Sequence, residues 1–189
     1  LNNMNAQVID LENLACHRGS LLGSEINKKQ HSQRYFESLL HNAIDKFDCT
    51  KPIFIESESS KIGKLHLPKK LWTKLNESDR VLLNVPIDER IKFLLKEYKH
   101  LTKDCKLIQP FIRGMKGKIA NEQLSNWRIL IQRKEWGNFV KEILENHYDP
   151  KYSFSAMKHN NKIKHKIDVI KLNKLSIENA SKKILEYFN

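Results

Sequence analysis

Val8-Ile9-Asp10-Leu11-Glu12-Asn13-Leu14-Ala15-Cys16-His17-Arg18-Gly19-Ser20-Leu21-Leu22-Gly23 is the stretch around which the chain is organised. A short apolar run, Val8-Ile9, ends in the carboxylates Asp10 and Glu12 and leads to the tight group His17-Arg18-Gly19-Ser20. That order predicts a buried strand delivering a charged, glycine-containing turn to one edge of a sheet. Arg18 offers a planar fork suited to phosphate or carboxylate, Gly19 permits close approach of backbone to ligand, and Ser20 adds a hydroxyl donor. The turn suits an anion; the structural alternative is Arg18 paired with Glu12 or Asp10.

Downstream, Ser32 can cap a helix whose apolar residues Phe36, Leu39, Leu40, Ala43, Ile44 and Phe47 recur at helical spacing. Pro52-Ile53-Phe54-Ile55 reads as a second buried strand, again closing in acid at Glu56 and Glu58, and runs into Ser59-Ser60-Lys61-Ile62-Gly63. Acidic residues after apolar strands are where open α/β sheets place a Mg²⁺ ligand or a water-orienting group, although such a residue can equally be a helix N-cap. A helix around Lys69 to Leu75 follows Pro68, and Val81 to Val85 forms the third strand. Pro86, Asp88 and Glu89 start the next helix, with Arg90 in its first turn, within reach of a phosphate or of a neighbouring acid.

From Lys106 to Met157 strand signals give way to helical periodicity, read as a helical insertion over the sheet edge at about 106–157. One helix carries Leu124, Trp127, Leu130 and Ile131; another carries Phe139, Val140, Ile143 and Leu144 and is expected to end near Tyr148-Asp149-Pro150. Arg113-Gly114-Met115-Lys116-Gly117-Lys118 reads as a phosphate-contacting loop, with Arg113 and Lys116 as its contacts, or as a solvated linker. Ile167 to Leu172 is a fourth strand, and Ser176 caps a final helix.

The net charge of +12 favours a polyanionic partner, and Lys151 to Lys174 holds seven lysines against the single acid Asp168, with Tyr152 and Phe154 at its start. Lysines neutralise phosphates and exposed rings stack on unpaired bases, so this segment is a candidate RNA-binding edge; a solvated charged face is the plainer alternative. Cys16, Cys49 and Cys105 form no C-x-x-C pair, so neither a disulfide framework nor a zinc site is indicated. No apolar run approaches a membrane span, which leads to the expectation of a cytoplasmic protein with no membrane partner. Leu1 and the strand that follows almost at once are expected of a piece of a longer chain.

The order strand, acidic end, helix, repeated, resembles a P-loop nucleotide-kinase-like parallel sheet of class α/β. More specifically, VIDLENLACHRGSLLG, FIESESSKIGKLHLP and HYDPKYSF together resemble the C-terminal domain of the selenophosphate-dependent tRNA 2-selenouridine synthases. The resemblance covers nearly the whole of residues 1–189. It implies a transferase that converts wobble 2-thiouridine to 2-selenouridine through an S-geranyl intermediate, with geranyl diphosphate and selenophosphate as substrates, tRNA as partner and Mg²⁺ as a possible cofactor. It implies His17, Arg18, Gly19 and Ser20 as contacts to diphosphate or tRNA, and Asp10, Glu12, Glu56, Glu58, Ser59, Gly63, Tyr148, Asp149 and Tyr152 as organisers of the site. The family's nucleophilic cysteine belongs to a rhodanese domain, which this sequence lacks, as it lacks a G-x-x-x-x-G-K-[ST] loop. A sheet missing the strand before that loop is expected to expose inner edges and to be inactive alone. Two other functions compete: a small-molecule kinase or NTPase, and a non-catalytic RNA-binding module.

Overall fold

A computed structural model describes residues 1–19, 23, 29–57, 59–151 and 167–188. Ser20, Glu58 and Tyr152, together with most of the lysine-rich segment and Phe154, lie outside the described residues. The chain separates into two compact units, residues 1–78 with 181–189 and residues 79–180.

In the first unit β1 (Gln7–Ile9) pairs in parallel with β2 (Ile53–Ile55), Val8 opposite Phe54. Between them run α1 (Leu11–Ala15) and α2 (Gln33–Ile44). Ser32 caps α2 by accepting from the Tyr35 amide, as its position before the periodic run predicts. α1 goes unread in sequence because five residues are too few to show a helical period. A small antiparallel hairpin, β3 (Lys61–Ile62) and β4 (Leu65–His66), precedes α3 (Lys69–Asn76). Ile9, Leu11, Ala15, Phe36, Leu40, Ile62, Leu65 and Leu67 form this unit's core. The burial of Ile62 and Leu65 is what makes the hairpin part of the fold rather than a loose loop.

In the second unit β5 (Arg80–Asn84) pairs in parallel with the distant β6 (Ile167–Lys171) over five residues, from Arg80 opposite Ile167 to Asn84 opposite Lys171. α4 (Ile87–Glu97) begins after Pro86 with Asp88 and Glu89 in its first turn, where acids complement the helix dipole. Then come α5 (Lys99–Lys103), a 3₁₀ turn at Cys105–Ile108, α6 (Gln109–Met115), α7 (Asn121–Gln132) and α8 (Trp136–Ile143). The fully buried Trp127 ring stacks on Phe111 and meets Phe139 edge-on, at centroid separations of 6.1 Å each. Such aromatic pairs add about 0.5–1.5 kcal/mol beyond burial. The last helix, α9 (Ile177–Phe188), begins here, capped by Ser176 accepting from the Asn179 amide, and from Ser181 on counts with the first unit.

The structure corrects three expectations. β2 is a part-exposed strand rather than a buried one, with Ile53 42% exposed. Arg113-Gly114-Met115 is the last turn of α6, with Met115 wholly buried, so only Lys116 to Lys118 turn outward as a loop. The helix of Phe139 does not stop before Pro150: it passes through a π-helical turn at Leu144–Tyr148 and continues helically over 149–151. In that turn the Asp149 amide bonds Leu144 O, five residues back. The wider register makes room for a ring that would collide with the carbonyl four residues earlier, and Pro150 has no amide left to satisfy.

With short parallel sheets interleaved with helices, the fold is α/β of the P-loop-like kind. Among the described residues the strands form three two-stranded sheets, β1–β2, β3–β4 and β5–β6.

Candidate functional site

The His17 turn is assembled by backbone. Cys16 adopts a left-handed conformation that ends α1, and the His17 amide bonds Glu12 O at 3.0 Å. The Arg18 amide then bonds Gly23 O at 2.8 Å, closing a loop around the turn. Gly19, at φ 69°, donates its amide to His17 Nδ1 at 3.1 Å. An accepting Nδ1 places the ring proton on Nε2. Burial holds the His17 pKa below the usual imidazole value, so the ring at neutral pH is a neutral donor through Nε2.

Opposite the ring stands the β3–β4 turn. Gly63 has φ +59°, and a Cβ there would lie 2.8 Å from His17 Cδ2 and 2.5 Å from Gln30 Oε1. Gln30 clamps the turn, donating from Nε2 to Ile62 O at 2.7 Å and accepting from the Lys64 amide at 2.8 Å. Two sequence motifs far apart in the chain, H-R-G and S-x-x-I-G, are thus one packed structure, with Gly63 the contact point. Gln30 escaped the sequence reading; it stands in an irregular polar stretch, and no period marks a side chain that acts as a surrogate strand.

The acidic strand ends serve α1. Asp10 is its N-cap, accepting from the Asn13 amide at 2.8 Å, and Glu56 Oε1 accepts from the Glu12 amide at 2.9 Å. Burial, with the charge of Asp10 adding to it, raises the Glu56 pKa against the lowering effect of the Glu12 amide. Glu12 contributes its backbone to the same junction. Among the described residues no three His, Cys, Asp or Glu side chains are placed to hold a metal ion. Asp10 and Glu56 each commit one carboxylate oxygen to an amide of α1. Ser59, exposed just before β3, donates its hydroxyl to Lys61 O.

In the second unit, Arg90 and Asp149 form a two-point pair, NH1 to Oδ2 at 2.9 Å and NH2 to Oδ1 at 2.5 Å. Asp149 thereby raises the Arg90 pKa, and the pair ties α4 to the helix beyond the π turn. Tyr148 packs edge-on against His147 at 5.2 Å. Arg113 and Lys116 are exposed at and just beyond the end of α6.

Residues 1–117 match the sequence profile of the tRNA 2-selenouridine synthase AAA domain. The chain belongs to this family. It is similar to the tRNA 2-selenouridine synthases of Psychromonas ingrahamii, 23% identical over 79% of this chain and 48% of the relative, and of Shewanella halifaxensis, 27% identical over 80% and 49%. The Alcanivorax borkumensis protein of that name is 29% identical over 77% of this chain and 48% of its own length. The chain therefore spans about half the length of the curated relatives it matches. No solved structure matches it. No helix among the described residues is long and apolar enough to cross a membrane.

Proposed function

We propose that the chain is the P-loop-like part of a tRNA-modifying transferase that exchanges the sulfur of wobble 2-thiouridine for selenium. The thiouridine sulfur first displaces diphosphate from geranyl diphosphate; the selenium of selenophosphate then displaces geranylthiol from the base, and water cleaves the Se–P bond to release phosphate. Alkylation turns sulfur into a good leaving group. The observation that carries this reading is the His17 turn, a neutral imidazole fixed by Gly19, Gln30 and Gly63 next to Arg18. In this reading His17 Nε2 donates to the diphosphate without adding charge, Arg18 neutralises it, and Arg113, Lys116 and the lysines of 151–174 hold the tRNA backbone. A rhodanese domain or chain supplies the nucleophilic cysteine, and the reaction belongs to the cytoplasm, where tRNA is modified.

Filter retention of tRNA by the full-length protein at two salt concentrations, with and without geranyl diphosphate, tests this. Arg18→Ala is expected to weaken binding about ten- to a hundredfold, the cost of one charge-assisted contact, and geranyl diphosphate to change the wild-type affinity. Binding indifferent to both the substitution and the diphosphate would refute the reading.

A further inference from the structure

Residues 59–76 hold five lysines and a histidine and no acid. The fold sorts them. Along the β3–β4 hairpin Ile62, Leu65 and Leu67 are buried, while Lys61, Lys64 and His66 are exposed. Lys61 and His66 are cross-strand partners, so their side chains stand side by side, with Lys64 in the turn that joins the strands. Two glutamines fix this hairpin through its backbone. Gln30, just before α2, holds Ile62 O and the Lys64 amide, and Gln33, the first residue of α2, donates to His66 O at 2.8 Å and accepts from the His66 amide at 2.9 Å. Glu37, the acid that this network reaches, is held by Gln33 Nε2 at 2.7 Å. α3 then starts with Lys69 and Lys70 in its first turn, which has neither an acid nor a side-chain cap. Cations at that end oppose the helix dipole. Lys61, Lys64, Lys69 and Lys70 are all exposed, and among the described residues none of them forms an ion pair. A surface that concentrates unpaired cations, two of them where helix electrostatics disfavour them, is arranged for an anionic partner.

We propose that the outer face of the β3–β4 hairpin and the first turn of α3 form a surface for the phosphate backbone of tRNA, with Lys61, Lys64, Lys69 and Lys70 as its contacts. The inference rests on the tRNA-modifying reading of the chain and adds to it a surface in the first unit. Cations on two successive elements match a row of phosphates, and contacts of this kind position an RNA without reading its sequence. Gly63, in the hairpin turn, lies against the His17 ring. The surface therefore borders the turn assigned to the diphosphate, and RNA held there has its chain beside the place where the thiouridine reacts.

The test is tRNA binding by the full-length protein, measured by filter retention over a salt series. The proteins are the wild type, Lys61→Gln/Lys64→Gln, Lys69→Gln/Lys70→Gln and the control Lys46→Gln, whose lysine is exposed beyond the opposite end of α2. Each double variant is expected to bind more weakly and to lower the slope of log affinity against log salt by about two, one for each phosphate contact removed. Lys46→Gln is expected to leave the slope unchanged. Because Lys69 and Lys70 oppose the helix dipole, the urea midpoint of their double variant should hold or rise, which separates a lost contact from a lost fold. Unchanged slopes in both double variants, with wild-type binding intact, would overturn the surface and leave the tRNA reading standing. A slope that falls as much per charge in Lys46→Gln reports net charge alone and overturns the surface as well. A wild-type protein that binds no tRNA overturns both.

Discussion

A methyl group at position 63 meets the Gln30 amide and the His17 ring at 2.5–2.8 Å, and the backbone there is left-handed. Gln30 can yield only by giving up its bonds to Ile62 O and the Lys64 amide. Gly63→Ala is therefore expected to cost about 1–3 kcal/mol in urea unfolding and to displace the His17 turn with it. Glu56 makes a different prediction. Its folded pKa is raised, so its contribution to stability is fully present below the ordinary carboxylate value, where both folded and unfolded chains hold the proton. The contribution is lost as pH climbs from that value through the raised one. Glu56→Gln should flatten the decline in stability across this window, measured by thermal unfolding at a series of pH values. For His17 the sign reverses: its lowered pKa contributes stability above the ordinary imidazole value, lost as pH falls through the lowered one. The types and order of these residues were legible in sequence. That Asp10 and Glu56 spend their oxygens on α1 was open between two readings, because an acid after a strand looks the same whether it caps a helix or faces a ligand.

At the scale of elements, the Arg90–Asp149 fork joins α4 to the helix beyond the π turn. Both side chains are roughly one-third exposed, 32% and 40%, which moderates the value of the pair. Arg90→Gln and Asp149→Asn are each expected to cost about 1 kcal/mol, with the double variant less than additive, in a denaturation cycle. If Arg90 instead served a phosphate, Asp149→Asn would leave tRNA binding untouched while Arg90→Gln abolished it. Long periodic helices such as α2, α4 and α7 could be read from spacing because α2 and α7 bury one face and α4 half-buries its apolar stripe. The helical passage through Pro150 could not, since proline's local preference argues for an end and the π register that accommodates it is a property of the packed helix. The β3–β4 hairpin was equally hidden: two-residue strands carry no alternation.

For the whole molecule, the net charge of +12 predicts that any tRNA affinity falls steeply with salt, the slope of log affinity against log salt counting the phosphates contacted. Trp127→Ala, which removes the ring between Phe111 and Phe139, should cost about 3–5 kcal/mol and, by hydrogen exchange, loosen residues 79–180 far more than residues 1–78, each unit having its own buried core. By itself the sequence determined the class of fold, the main helices, the parallel strands and the family, because apolar periodicity and a distinctive run such as D-L-E-x-L-A-x-H-R-G-S are written locally. Only the tertiary structure decided that His17 meets Gly63 under the clamp of Gln30, that Arg90 is held by Asp149, and that Lys61 stands beside His66 across the hairpin. Each of those contacts joins residues through a turn or across a long loop, and its energy exists only once the intervening chain has folded.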